Sequence, residues 1–234
     1  MGDFSGQAAI ITGASGLLAS GVVPIFRAGG ASLVLTCGDD RLYERFPELE
    51  GDGAHLCFPG TDLSNAQTVQ GLVAAAIERF GRIDILVNIV GGWDAGEPVH
   101  KMSLETWDGM LRVNATITFL MCRAVIPTML EGGSGKIINI SARPGLRASG
   151  NDAAYAASKA AVLRLSESMS EEYKRRGIRV NAVLPSALAT EEQVGQDPHA
   201  GVSPAQVAEV IAFLASDAGG IITGAAIPVY GTKF

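Results

Sequence analysis

The chain has 234 residues, enough to bury one core and too few for two ordinary enzyme domains, so a single domain spanning 1–234 is expected. With 18 basic against 24 acidic residues the formal charge is −6, and no stretch clusters Lys and Arg as a phosphate backbone would require; nucleic acid and membrane are poor partners. Hydrophobic residues at 47% and charged residues at only 18% exclude a disordered chain.

Residues 1–9 carry Asp3 and no Lys or Arg, the wrong charge for a secretory or transit leader, and Gly6 stands where a myristoylation motif needs Ser or Thr. The apolar stretch 8–23 is interrupted by Thr12, Gly13, Ser15 and Gly16, so no run of membrane-spanning length is expected and a cytoplasmic protein is the reading. From there to the C-terminus, short runs rich in β-branched residues alternate with helical patterns, which implies a parallel sheet. The runs fall at 8–11, 32–35, 54–57, 83–87, 136–140, 178–184 and 226–230. Pro228 cannot donate to a ladder, so the last strand should lie at the sheet edge. The helical segment at 103–130 is apolar on several faces, with Leu104, Trp107, Leu111, Ile117, Leu120, Met121 and Val125. That is more than one sheet face needs, and either complete burial or contact with another subunit would explain it. Val162, Leu165, Met169 and Tyr173 form one stripe of a later helix, which Lys174-Arg175-Arg176 and then Gly177 bring to a stop.

Cys37, Cys57 and Cys122 are odd in number and widely spaced, and His55, His100 and His199 are isolated, so neither a disulfide framework nor a metal site is predicted. The turn Thr12-Gly13-Ala14-Ser15-Gly16-Leu17 joins the first strand to a helix, an arrangement that suits a pyrophosphate or simply a tight turn. Asp62 follows the third strand, where it suits an adenine amino group, and Asp62 or Ser64 would equally serve as a helix N-cap. After the fourth strand come Asn88, Gly91, Gly92 and Trp93, at the edge where open sheets bind ligands, although Gly91-Gly92 also suits a plain turn and Trp93 a core position. Tyr155 and Lys159 are four apart and share one helix face, so an ammonium can lower the phenol's pKa and make it a proton donor near neutrality. Asn114 lies mid-helix, where an amide is otherwise costly.

In this order the motifs resemble the short-chain dehydrogenase/reductase superfamily over essentially the whole chain. The resemblance implies a Rossmann-type, doubly wound α/β fold with a seven-stranded parallel sheet, and an enzyme that moves a hydride between NAD(H) or NADP(H) and a small molecule. It implies Tyr155 as general acid/base, Lys159 holding the nicotinamide ribose and Asn114 supporting a water relay. The coenzyme would lie against Thr12, Gly13, Ser15, Gly16, Leu17, Asp62, Leu63, Asn88, Gly91, Tyr155, Lys159, Pro185, Leu188 and Thr190. The substrate would meet Trp93, Ala142 and Arg143, and a homodimer or homotetramer is implied as well.

Four positions depart from the family pattern. The catalytic serine position, thirteen residues before the tyrosine, holds Ala142, preceded by Ser141, which strand alternation should turn to the opposite face. The glycine turn has the shorter spacing Gly13, Gly16, Ala19; Cys37 replaces the aspartate that NAD-preferring members place on the ribose diol; and Ser186 replaces the glycine after Pro185. The alanine, the glycine spacing and Gly92-Trp93 give a likeness to the dihydropteridine reductases, in which a quinonoid substrate needs no serine and Trp93 would stack on a flat ring. Asp39 and Asp40 lean the coenzyme toward NAD(H), while Arg41 could reach a 2′-phosphate. The alternatives are a non-catalytic or impaired nucleotide-binding protein with a regulatory role, and a carbonyl reductase in which Ser141 or Arg143 replaces the missing hydroxyl.

Overall fold

Strands β1 (Ala8–Thr12), β2 (Ser32–Thr36), β3 (Leu56–Phe58), β4 (Ile85–Asn88), β5 (Gly135–Ile140), β6 (Ile178–Pro185) and β7 (Ala226–Val229) form one sheet in the computed structural model, which describes residues 2–197 and 199–231. Their order is β3-β2-β1-β4-β5-β6-β7, every described pair is parallel, and β7 carries Pro228 at the edge, as its missing N–H requires. The connecting helices are α1 (Ala19–Ala28), α2 (Leu42–Arg45), α3 (Ala66–Phe80), α4 (Leu104–Met110), α5 (Ile117–Glu131), α6 (Arg143–Leu146), α7 (Ala153–Tyr173), α8 (Glu191–Gln196) and α9 (Pro204–Ala215).

Strand residues alternate between two cores. Ala9, Ile11, Leu33, Leu35 and Val87 pack with Val22 and Phe26 of α1 and Ile211 of α9. Ile10, Val34, Leu86 and Ile137 pack with Leu72 of α3 and with Met121 and Val125 of α5. Each fully buried side chain of this kind contributes roughly 1.5–3 kcal/mol, which is why apolar runs without polar alternation read correctly as covered strands.

Three expectations need correction. The third strand begins at Leu56 rather than at 54, because the His55 side chain accepts the Leu33 N–H at Nδ1 (3.1 Å) and so takes over a bond the backbone ladder would make. The cap of α3 is neither Asp62 nor Ser64 but Asn65, whose side chain accepts from Gln67 and Thr68. Residues Leu104–Glu131 are long and apolar enough to cross a membrane, against the expectation that no segment would be. Burial of Met121, Cys122, Val125 and Met129 against the sheet accounts for much of that apolarity. Within this stretch Leu111–Thr116 widens into a π-helical turn that carries Asn114.

The chain leaves β1 toward β2 on one side, while β4 pairs on the other, so the loops after β1 and β4 part and open a crevice at the carboxyl edge.

Candidate active site

Two loops are fixed at the crevice by the residues that leave β1. The Thr12 hydroxyl accepts from the N–H groups of Ile89 (3.0 Å) and Val90 (3.2 Å), pinning the loop after β4 to the end of β1. Gly13 then turns with φ +70°, and a Cβ there would lie 3.0 Å from the Val90 nitrogen, so only glycine suits both the turn and the close approach. Tight turns follow, with Gly16 N–H donating to Gly13 O (2.9 Å) and Ala19 N–H to Gly16 O (3.2 Å), and they lead into the N-terminus of α1. That helix end carries positive partial charge beside a concave backbone, the surroundings an anionic phosphate needs.

Between these loops, the ends of β5 and β6, and α7 lies a cleft of about 460 Å³. The structure brings to its wall Gly13, Ser15, Gly16, Leu17, Gly91, Trp93, Ala142, Tyr155, Lys159, Pro185 and Leu188 of the expected residues. It leaves others off the wall. Asp62 is exposed and accepts from the Ser64 N–H (2.8 Å) and hydroxyl (2.7 Å), which hold its carboxyl below the usual carboxylate range. Leu63 belongs to the core, Arg143 is exposed at the start of α6, and Thr190 caps α8 in a reciprocal pair with Gln193. Asn88 lies beneath the cleft, donating to Asn139 Oδ1 (2.9 Å) and Cys122 Sγ (3.4 Å). Sequence reasoning missed Leu18, Ile89, Val90 and Ile140 on the wall; the signal available was position alone, since each lies at or just beyond a strand end or beside the glycine turn.

Lys159 and Asn114 meet across Gly91. Lys159 is 4% exposed, its Nζ donates to Ile140 O (3.1 Å), and burial brings its pKa down to about 8. Asn114 is wholly buried; its Oδ1 accepts from Gly92 N–H (3.1 Å), and its Nδ2 donates to Gly92 O (3.0 Å) and Ser158 Oγ (3.0 Å). The amide is therefore a strut between the loop after β4 and α7. A Cβ at Gly91 would come within 2.7 Å of Asn114 Oδ1 and 3.0 Å of Lys159 Nζ, so glycine lets the loop seat on both.

The Tyr155 ring centroid is 5.9 Å from Lys159 Nζ. Contrary to the expected lowering, the phenol's pKa is raised, first by burial and then by the Asp152 carboxylate. The ammonium is turned to the Ile140 carbonyl and is itself pulled toward neutrality, so it does not offset those two effects. Ser141 and Ala142 both reach the wall, but the Ser141 hydroxyl, 2% exposed, donates to the Lys159 carbonyl (2.9 Å) and is committed to α7. At the far end, the Cys37 thiol is 1% exposed and donates to Asp39 O (3.1 Å), with burial raising its pKa. Asp39 accepts a two-toothed bond from Arg41, at 2.8 Å from Nε and 2.6 Å from a terminal nitrogen, and Arg45 Nε donates to Ser15 O (2.7 Å). The cleft thus combines a glycine turn at a helix N-terminus, a buried lysine and a phenol on one wall.

Residues 7–200 match the short chain dehydrogenase family. A D-threitol dehydrogenase of Mycolicibacterium smegmatis is 34% identical over 97% of this chain and 92% of its own length. A 2,5-dichloro-2,5-cyclohexadiene-1,4-diol dehydrogenase of Sphingobium indicum is 32% identical over 97% of this chain and 96% of its own length. Among solved structures, a levodione reductase superposes with TM-score 0.87 at 28% identity, covering 97% of each chain.

Proposed function

This chain belongs to the short-chain dehydrogenase family and is an NAD(P)-dependent oxidoreductase acting on small molecules, and on that premise we propose that it interconverts a small secondary alcohol and its ketone with Tyr155 as the acid/base. Hydride transfer is the chemistry that a bound nicotinamide supplies. The residues of the cleft do the rest: the glycine turn and α1 N-terminus accept the phosphates, Lys159 sits beside the phenol, and Tyr155 OH gives its proton to the carbonyl oxygen in reduction and regains it in oxidation. The observation that carries this reading is the pairing of Tyr155 with buried Lys159 on the wall that also holds Gly13, Gly16 and Pro185. Relatives that act on a tetritol and on a cyclic diol support a hydroxylated substrate. The engagement of Arg41 in an ion pair with Asp39 supports NAD(H) over NADP(H). A single catalytic domain, a cytoplasmic location and a homodimer or homotetramer complete the proposal.

A second reading has its own support. Ala142 lacks a hydroxyl and Trp93, 71% exposed, lines the cleft, which suits a flat quinonoid or pterin-like acceptor. The test is a titration with NADH and NADPH, read by energy transfer from tryptophan, followed by turnover on secondary alcohols, ketones and quinonoid acceptors. Tyr155→Phe is expected to leave dinucleotide affinity within about threefold while turnover falls roughly 10²-fold or more. Wild-type-like turnover in that variant rejects the assignment.

A further inference from the structure

The cleft has three serines on its wall, and they are not equivalent. Ser15 belongs to the glycine turn, where its carbonyl accepts from Arg45 and its hydroxyl lies against Asp39, at the end away from Tyr155. Ser141 spends its hydroxyl on the Lys159 carbonyl at 2.9 Å and is almost wholly buried. Ser186 is half-buried, and among the described residues its hydroxyl donates only to Tyr230 O at 3.4 Å, beyond the 2.5–3.0 Å of a well-made O–H···O bond. Its backbone is nevertheless fixed, since its N–H donates to Val229 O at 3.0 Å and prolongs the β6–β7 ladder by a residue. The result is a hydroxyl on a rigid main chain, held loosely and free to turn into the cleft.

Position matters as much as freedom. β5 and β6 run in register with Ile140 opposite Val183, and Ser141 N–H still donates to Val183 O (2.9 Å), so Ala142 and the Pro185-Ser186 step emerge side by side from neighbouring strand ends. Ala142, Tyr155 and Ser186 line the same cleft. Position 142, which lacks a hydroxyl, and position 186, which has one, thus share a cleft wall with Tyr155, and a turn of the Ser186 side chain away from Tyr230 O would bring its hydroxyl into that space.

Resting on the alcohol/ketone reading above, we infer that Ser186 donates the hydrogen bond to the substrate oxygen that Ala142 cannot provide, acting with Tyr155 on the same atom. The substrate class this admits is a secondary alcohol or its ketone, in which charge develops on oxygen and a second donor matters. A quinonoid acceptor would gain little from it.

The experiment compares wild type, Ser186→Ala, Ser186→Thr and the double variant Ser186→Ala with Ala142→Ser. Each is assayed for oxidation of D-threitol and cis-1,2-cyclohexanediol, reduction of cyclohexanone, NADH and NADPH binding, and thermal unfolding. One donor to a developing oxyanion is worth roughly 10²-fold in kcat, so Ser186→Ala should lose about that much on the best of these probes. Dinucleotide affinity and Tm should stay close to wild type, Ser186→Thr should keep most activity, and adding Ala142→Ser should restore at least about tenfold. A tether that merely holds Tyr230 would lower Tm and would not be rescued from position 142. Ser186→Ala within twofold of wild type overturns the inference, as does a wild type that binds dinucleotide but turns over none of the three probes. Absence of dinucleotide binding would overturn the underlying reading along with it.

Discussion

Lys159 keeps a charge in a place that disfavours it. Its pKa falls from 10.5 to about 8 through burial, so below about pH 8 folding must carry the desolvated ammonium, and that burden eases only as pH rises from about 8 toward 10.5, where the unfolded chain binds more protons than the folded one. Lys159→Met should therefore abolish turnover and yet raise Tm by a few degrees at pH 7, with the margin shrinking toward pH 10. Melting curves of the two proteins at both pH values check it; a lower Tm for the variant at pH 7 would mean that the bond to Ile140 O outweighs the desolvation. Asp39 gives a second test at this scale. Its two bonds from Arg41 compensate the guanidinium's charge while keeping it protonated, and the same pair holds the carboxyl below its ordinary pKa. Asp39→Asn frees Arg41 to meet a 2′-phosphate, and the NADPH-to-NADH affinity ratio should rise about tenfold or more. An unchanged ratio in the titration removes Arg41 from coenzyme choice.

Elements position these residues through a few close approaches. The loop after β4 rests on the strut from Asn114 and on Lys159, with Gly91 between them. Gly91→Ala should push a Cβ into Asn114 Oδ1 and Lys159 Nζ and cost about 1–3 kcal/mol with a clear loss of turnover. Gly71→Ala, in α3 with nothing near its Cβ, should instead stabilise by up to about 1 kcal/mol. Urea unfolding of both variants separates the packing effect from the general effect of removing a glycine. The same contacts explain what was legible beforehand. Strand runs and the Tyr155–Lys159 spacing are local signals, so the sheet, the edge position of Pro228 and the shared helix face could be read directly. The π-helical turn at Leu111–Thr116, the commitment of Ser141 to the Lys159 carbonyl and the retreat of Asp62 to Ser64 depend on which neighbour arrives in space. The role of Thr190 had a local signature, a threonine three before Gln193, which marks a helix cap as readily as a coenzyme contact.

At the scale of the whole molecule, the excess apolarity of residues 103–130 divides into two parts. The inward part, Met121, Cys122, Val125 and Met129, is consumed by the sheet. The outward part is not: Phe119 is 44% exposed, and with Pro127, Leu130, Leu165 and Tyr173 it lines a groove of about 340 Å³ between α5 and α7, flanked by Arg123 and Glu172. Two long helices with a shared apolar groove and charges of both signs beside it form a face that suits a second copy related by twofold rotation. α7 also carries Tyr155 and Lys159, so covering its outer side would stiffen the helix that holds the proposed acid/base. The proposed dimer or tetramer should therefore sediment as such at micromolar concentration. Phe119→Glu, which puts a charge into the groove without touching the cleft, should yield monomers with dinucleotide binding retained. A wild type that is already monomeric at that concentration, or a Phe119→Glu variant that assembles normally, would move the interface off this face and leave the outward apolar residues of α5 without a partner.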